Sequence, residues 1–397
     1  MRILLTDGDN RAALAIVRSL GSQGHVMVVG ERHGPALAQT SRYCSERFVY
    51  PDPFKDEHGF LMCVLDEVRR HQIDVLIPVA DVTTALIVER RSEFERLCKL
   101  PLASADVIAK AADKVGVLEL AARLDVPTPA TAFINSPEEA LGKGATIGYP
   151  LVLKARRSRV RTAAGWESCS VAYASSPEAL MSRVRTAHPQ SFPLILQERI
   201  DGPGIGMFLC YDNGAPIAVF SHRRLREKPP SGGVSVLCES LASSPVVLRH
   251  SQSLLDALGW HGVAMVEFKL DPRDDTPKLM EINGRFWGSL QLAIDAGVDF
   301  PAILLSTVTG HAPVLQPTYR VGVKSRWWWG DVDSLLLRTF GRHDTVVNGT
   351  SSGLAAELWA FLKLWEKDLY YENPRLSDLK PWLHETSQWM RHLGAHR

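Results

Sequence analysis

Two short strands of mixed apolar and acidic residues, joined by a single turn, constrain this chain more than any other stretch: residues 264–270 (AMVEFKL), the turn DPRDDTP, and residues 278–283 (KLMEIN). A hairpin centred near Asp274 pairs residues whose numbers sum to 548. Glu267 then faces Glu281 directly, and Asn283 lies one step along on the same face. The other face carries Val266, Phe268, Leu270, Met280 and Ile282, an apolar set suited to packing on a core. The carboxylates therefore point into a cleft. Opposed Cβ atoms lie about 5 Å apart, and two carboxylates near 4 Å repel by roughly 4 kcal/mol at an effective dielectric of 20. Something positive must offset that. A proton can, as can Lys269 or Arg285. Two carboxylates with an amide oxygen also suit Mg²⁺, which takes few protein ligands and completes its shell with phosphates and water. The plain alternative is a solvated hairpin with a surface charge cluster.

The 397 residues, 45% hydrophobic and 22% charged, give length for two or three domains with large cores. A formal net charge of +1 gives no general reason to expect nucleic acid or an anionic membrane as partner. The cysteines at 44, 63, 98, 169, 210 and 238 form neither a CxxC pair nor a disulfide framework, so reduced thiols are expected. The start MRILLTDGDN lacks the apolar stretch of a signal peptide, and no run of eighteen apolar residues occurs. A cytoplasmic location is expected.

The first hundred residues alternate strand-like and helix-like pieces: 2–6, a helix over 11–21, 25–30, a helix near 60–71, then 74–78. This is βαβ logic and a parallel sheet. The loop TDGDN offers an anion site at a helix amino end but lacks GxGxxG, which argues against a dinucleotide. From Ser104, SADVIAKAADKVGVLELAARLDVPTP reads as capped helical segments containing Lys114. Residues 149–155 (YPLVLKA) form a strand delivering Lys154, and residues 192–200 (FPLILQERI) form another. Between them lies the basic RRSRVRTAAGWES. Residues 205–222 predict a hairpin turning at DNGAP, followed by a loop, HRRLREKPPSGGVS, that carries Arg223, Arg224 and Arg226. Seven of the ten tryptophans lie beyond residue 326, marking a distinct carboxy-terminal layer. Over 353–369, Leu354, Leu358, Phe361, Leu362, Trp365 and Leu369 recur at helical spacing, which predicts an amphipathic helix docked in a core or a dimer contact.

Lys114, then Lys154 about forty residues on at a strand end, then QERI, then two acidic strands ending in EIN, resemble the ATP-grasp superfamily. EINGRFWGS with HRRLREKPPSGGVS resembles its carboxylate-amine ligase-like branch, related to D-alanine ligases and the carbamoyl phosphate synthetase large chain. The resemblance covers about residues 1–315. It implies an α/β fold of three parts: a Rossmann-like parallel-sheet domain over 1–103, a two-part ATP-grasp domain over 104–315, and a helical, tryptophan-rich extension over 316–397.

Carried over position by position, the resemblance implies that Lys114 and Lys154 neutralise nucleotide phosphates. Gln197, Glu198, Arg199 and Ile200 become the linker against which adenine lies, with Ile200 covering its face. Glu267, Glu281 and Asn283 match positions holding Mg²⁺, or Mn²⁺ in its place, between the phosphates. Arg285 would contact the transferring phosphoryl group. Two departures stand out: Gly204 occupies the place where relatives often carry a ribose-binding acid, and the loop after Lys154 is arginine-rich rather than glycine-rich. Arg156, Arg157, Arg159 and Arg161 then supply the positive field as guanidinium forks. The implied activity is ATP-dependent amide or peptide bond formation from a small-molecule carboxylate and an amine through an acyl phosphate, releasing ADP and phosphate. Arg224 would sit in a lid closing on the substrate, helped by Gly232 and Gly233. A homodimer is the implied assembly. The rival readings are a non-catalytic ATP-binding sensor and a carboxylase-like enzyme of the same fold.

Overall fold

The computed structural model describes residues 1–162, 165–310, 318–340 and 354–395. At the amino end, the strands Glu46–Val49, Val26–Glu31, Arg2–Leu5 and Val75–Ile77 lie in that spatial order, all parallel. The first crossover is the helix Arg11–Ser22, started by Asn10, whose side chain accepts the Ala12 N–H. Its apolar residues are buried almost completely. The short edge strand Glu46–Val49 had no pattern to announce it, because its residues are mostly exposed.

Two helices follow, Ala105–Ala112 and Lys114–Arg123. The chain breaks at Asp113, whose carboxylate accepts the Gly116 N–H, so Lys114 is the first residue of a new helix rather than an interior one. The Lys114 N–H also bonds the Arg156 carbonyl at 2.9 Å, which ties this helix start to the end of the strand Leu151–Ala155. That strand belongs to a four-stranded antiparallel sheet ordered Thr131–Ile134, Leu194–Glu198, Leu151–Ala155, Ala172–Ala174. Its core is closed by the helices Ala140–Ile147 and Pro177–Arg185.

The largest sheet has seven strands, ordered Pro277–Asn283, Gly262–Leu270, Gly204–Asp212, Ala215–Lys228, Val234–Ser240, Lys324–Arg326 and Leu369–Tyr371. The Gly204–Asp212/Ala215–Lys228 hairpin turns through Asn213 and Gly214, both at positive φ, as two-residue hairpin loops require. The sheet overturns two expectations. Residues 222–228 are strand and not loop: Ala215–Lys228 pairs with Val234–Ser240 through two register shifts, and the ladder runs on to Lys228 opposite Val234. The tail does not form a separate layer either, because Lys324–Arg326 and Leu369–Tyr371 extend this sheet.

The amphipathic helix expected over 353–369 is shorter. It runs Leu354–Leu362, with Gly353 outside the described residues, and Leu369 already belongs to a strand. Trp359, Leu362 and Trp365 are 68%, 62% and 94% exposed, so that face is not packed in a core within the chain. The tail is instead anchored elsewhere. Arg18, nearly buried on the first helix, donates to the Asp378 carboxylate at 2.9 Å and to the carbonyls of Glu372, Asn373 and Asp378. Asp378 also accepts from the Ser41 hydroxyl and the Arg42 N–H. Arg11 pairs with Glu372. The carboxy-terminal segment thus straps the parallel-sheet domain to the large sheet.

One apolar core runs through both, joining Ile16 and Leu20 to Phe208, Phe220 and Trp287. It includes the helices Leu290–Ala296 and Phe300–Thr309. Among the described residues no single helix is long and apolar enough to cross a membrane. All six cysteines are unpaired.

Candidate active site

The two central sheets face each other across a cleft of about 370 Å³ that Lys154, Gln197, Ile200, Glu267, Glu281 and Arg285 help to line. Glu267 stands directly opposite Glu281, and Met265 opposite Asn283. A bulge between Glu267 and Phe268 then shifts the register, so that Phe268 pairs with Leu279. In consequence Leu279 is buried in the core, whereas Met280, expected there, lines the cleft.

Each carboxylate has its own cation, and neither is Lys269 or Arg285. The Lys114 ammonium lies 3.3 Å from Glu281 Oε2 and donates to the Ser158 hydroxyl at 2.7 Å. The Arg224 guanidinium contacts Glu267 Oε2 and also bonds Glu227 at 2.9 Å and the Gly233 carbonyl at 3.1 Å. The Asn283 amide donates to Glu281 Oε1 at 2.9 Å. Burial pushes the Glu281 carboxyl up, but Lys114, the Asn283 amide and Lys154 outweigh it and hold the group well below the usual range. Glu267 moves the other way: burial raises it, and the charge of Glu281 adds to the effect against Arg224. The pair thus divides into a firmly ionised member and one that gains a proton more easily.

Lys154 sits mid-sheet opposite Ile195. Burial lowers its ammonium from 10.5 to about 8, with Glu281 opposing and Lys114 reinforcing that shift. Such a group is short of counter-charge and suited to an anion.

The linker runs along the cleft's edge. Gln197 is buried and donates to the Thr131 hydroxyl at 3.0 Å. The Glu198 side chain pairs with Arg273, while its N–H bonds the Ala130 carbonyl at 2.8 Å. Ile200 is buried, and its carbonyl accepts from the Lys269 ammonium at 3.1 Å. Gly204 is in strand, paired with Lys269. Gly202 presses so closely on the Leu270 carbonyl that a Cβ would fall 1.6 Å from its oxygen, so the linker is packed against the acidic hairpin.

Arg285 reaches out of the cleft to the start of the helix Asp81–Glu89, where its Nε bonds Asp81 Oδ1 at 2.6 Å. Two nearby carboxylates in the sequence are engaged elsewhere: Asp295 pairs with Arg375, and Asp299 accepts from the Ser19 hydroxyl. The arginine-rich segment does not supply the expected positive field. Arg156 is held by Asp113, Arg161 by Glu57 and Glu89, and Arg159 bonds the Ser168 hydroxyl and stacks on Phe54. Arg157 is exposed. Sequence reasoning passed over Asp81, Glu227 and Tyr173, whose hydroxyl bonds the Ser231 carbonyl across the cleft at 2.9 Å. Asp81, opening a helix just after a strand end, carried the one local signal of the three.

Solved structures share this architecture. An L-amino acid ligase from Bacillus licheniformis matches 77% of this chain and 74% of its own, at 16% identity and a TM-score of 0.60. An N5-carboxyaminoimidazole synthetase from Staphylococcus aureus complexed with ADP matches 86% of each chain, at 14% identity and a TM-score of 0.64. The chain has the ATP-grasp fold. Within it, residues 190–328 match the family described as ATP-grasp in the biosynthetic pathway with Ter operon, which takes in the linker, the acidic hairpin and Arg285. A D-aspartate ligase of Enterococcus faecium (strain Aus0004) is 22% identical over 272 residues, 64% of this chain and 64% of that relative's length. The biotin carboxylase domain of the Hydrogenobacter thermophilus 2-oxoglutarate carboxylase, solved with MgADP, ADP and bicarbonate, matches 81% of this chain and 73% of its own, at 16% identity and a TM-score of 0.62.

Proposed function

We propose that this protein is an ATP-dependent carboxylate-amine ligase that forms an amide or peptide bond through an acyl phosphate and releases ADP and phosphate. The observation that carries this reading is the meeting of Glu267, Glu281, Asn283, Lys114 and Lys154 in one cleft with Arg285 at its mouth. Two of the relatives are named as amino acid ligases, D-aspartate ligase and L-amino acid ligase, which supports the carboxylate-amine class.

The donor set fits a hard divalent cation. Lys114 and Arg224 each contact only Oε2 of their carboxylate. Among the described residues, Glu267 Oε1 and Asn283 Oδ1 carry no protein hydrogen bond. Two carboxylates and an amide oxygen on one face suit Mg²⁺ or Mn²⁺ with phosphate and water completing the shell. When bound, the ion would neutralise charge between the nucleotide phosphates.

The chain's own residues do the rest. Lys154, short of counter-charge, and Lys114, already at the carboxylates, bind phosphate oxygens and favour the charge that spreads over them during transfer. Gln197, Glu198 and Ile200 hold the base at the linker. With Gly204 in strand, ribose recognition falls to other groups. Arg285, bridging from the cleft to Asp81, orients the substrate carboxylate that attacks the terminal phosphate. The amine then displaces phosphate from the acyl phosphate, so the protein needs no covalent nucleophile. Arg224, held in a strand by two glutamates, opposes the upward push of burial on the Glu267 carboxyl and holds it in place; it does not ride on a flexible loop. A cytoplasmic homodimer completes the reading.

The test is to offer Mg·ATP with pooled amino acids and carboxylates of varied size. Release of ADP and phosphate that needs both a carboxylate and an amine is expected. ATP binding without release in any pool would leave a binding protein and overturn the ligase reading.

A further inference from the structure

A second and larger cavity, about 740 Å³, adjoins the nucleotide cleft, and Arg11, Val234, Arg285 and Gly288 line both. The far wall of this cavity is built by the carboxy-terminal extension, through Trp327, Trp329 and Trp389. Each of these indoles is only half buried, and each has its N–H already bonded within the protein. Trp327 donates to Glu385 at 2.6 Å, Trp329 to the Thr386 hydroxyl at 2.9 Å, and Trp389 to Asp333 at 2.8 Å. Trp329 and Trp389 are stacked, with centroids 4.1 Å apart and planes at 25°. Arg11 is fixed over the Trp327 ring at 4.0 Å. Gly288 makes room for it, since a Cβ there would lie 2.8 Å from the guanidinium.

These bonds fix the ring planes and use up the indole N–H groups, so the rings themselves offer a ligand rigid apolar and π surface, in a lining that also carries Asp9, Asp333, Glu385 and His392. Such a surface recognises flat or bulky hydrocarbon by area rather than by hydrogen bonding. Arg285, held by Asp81, is a cation shared with the nucleotide cleft, whereas Lys228, paired with Asp333, lies beside the indoles, 5.4 Å from the Trp327 centroid. The volume lies in the range of pockets that enclose drug-sized ligands of about 300–1,000 Å³ and leaves a small acid such as aspartate largely unsupported.

We propose that this cavity is the site of the carboxylate substrate, and that the indole wall selects an acid with a large aryl or apolar body, its carboxylate directed to Arg285. The proposal deepens the ligase reading and rests on it for the role of Arg285. It makes Trp329 and Trp389 specificity-determining residues contributed by the strap.

The experiment is calorimetric binding of a graded series (acetate, aspartate, phenylalanine, N-benzoylphenylalanine) to the full chain in the presence of Mg²⁺ and a non-hydrolysable ATP analogue. Affinity is expected to rise along the series, and Trp329→Ala to weaken N-benzoylphenylalanine at least tenfold while changing acetate little. Trp389→Phe, which keeps an aromatic ring but removes the bond to Asp333, guards against misfolding and should give an intermediate loss. Folding of each variant is read from binding of the analogue itself. Flat affinity across the series, no binding of any member, or an equal loss for all acids would overturn the proposal. Failure of the ligase reading shows differently, as bound acid that never provokes ADP release from Mg·ATP in the presence of amines.

Discussion

Replacing Glu281 with glutamine changes one charge at the centre of the cleft and should separate function from stability. The Lys114 ammonium is 3.3 Å from Glu281 Oε2, an attraction of about 5 kcal/mol at an effective dielectric of 20. Glu267, directly opposite at a Cβ separation of about 5 Å, repels it by about 3 kcal/mol on the same scale. The difference is about 2 kcal/mol in favour of the charged side chain. About a third of the Glu281 side chain is exposed, so solvent screening reduces both, and the glutamine amide still accepts a hydrogen bond from Asn283. Glu281→Gln should therefore alter stability by no more than about 1–2 kcal/mol, a midpoint shift of only a few degrees for a chain of this size. Its effect on MgADP should be large, because the firmly ionised oxygen donor for the cation is gone and the Lys114 ammonium loses the carboxylate that positions it. Removing one preorganised electrostatic partner typically costs 10²–10³ in turnover, and that loss is expected in ADP release. A thermal melt reads the same change without any acceptor substrate. MgADP at about 100 times its dissociation constant should stabilise the wild-type protein by about 2.7 kcal/mol, and the variant far less. Equal stabilisation of both proteins by MgADP, or equal turnover, would refute the assignment of Glu281 to the nucleotide-metal site.

Lys154 gives a pH dependence. Its folded value of about 8 lies below the ordinary 10.5, so bound phosphates favour its protonated form, and ADP affinity should fall above pH 8 by up to about tenfold per unit; Lys154→Met should flatten that slope. For stability the sign runs oppositely. Between about 8 and 10.5 the unfolded chain binds more protons, so this group makes the nucleotide-free protein more stable as pH rises through that window, measurable by urea unfolding at several pH values. Asp378→Ala leaves buried Arg18 without its carboxylate and frees the Ser41 and Arg42 donors; a loss of about 3–5 kcal/mol by chemical denaturation is expected, and a loss under 1 kcal/mol would contradict the strap. Truncation after residue 315 removes two strands of the large sheet and the partners of Arg11 and Arg18, so insoluble protein is expected, and a soluble, well-folded product would contradict it.

The parallel amino-terminal sheet and the facing of Glu267 and Glu281 were legible because both follow from local periodicity, period 2 within a hairpin and alternating elements along the chain. The bulge after Glu267 was not. One added residue leaves no compositional mark, yet it exchanged Leu279 and Met280 between core and cleft. Helical spacing in the tail misled for a related reason: Leu358, Leu362 and Trp365 recur correctly, but the helix ends at Leu362 and the chain returns to the sheet at Leu369. The strand Lys324–Arg326 reads as polar because Arg326 is buried by its ion pair with Asp331 and by stacking on Trp328 and Phe361 rather than by apolar packing. The cations that serve the carboxylates were in view as residues but not as partners. Lys114 reaches Glu281 from the start of the helix Lys114–Arg123, and Arg285 finds Asp81 at the start of a helix some two hundred residues earlier in the chain. Such pairings depend on tertiary packing, which no local pattern encodes.

In the proposed reaction, a carboxylate activated by phosphoryl transfer in the cleft of Glu267 and Glu281 hands one of its oxygens to the phosphate product. The most direct test follows ¹⁸O from labelled carboxylates, offered with Mg·ATP and pooled amines, into the phosphate product by mass spectrometry. Inorganic phosphate carrying one ¹⁸O from the acid, formed together with ADP, is the expected result. Unlabelled phosphate, or label appearing in AMP with release of pyrophosphate, would contradict the account.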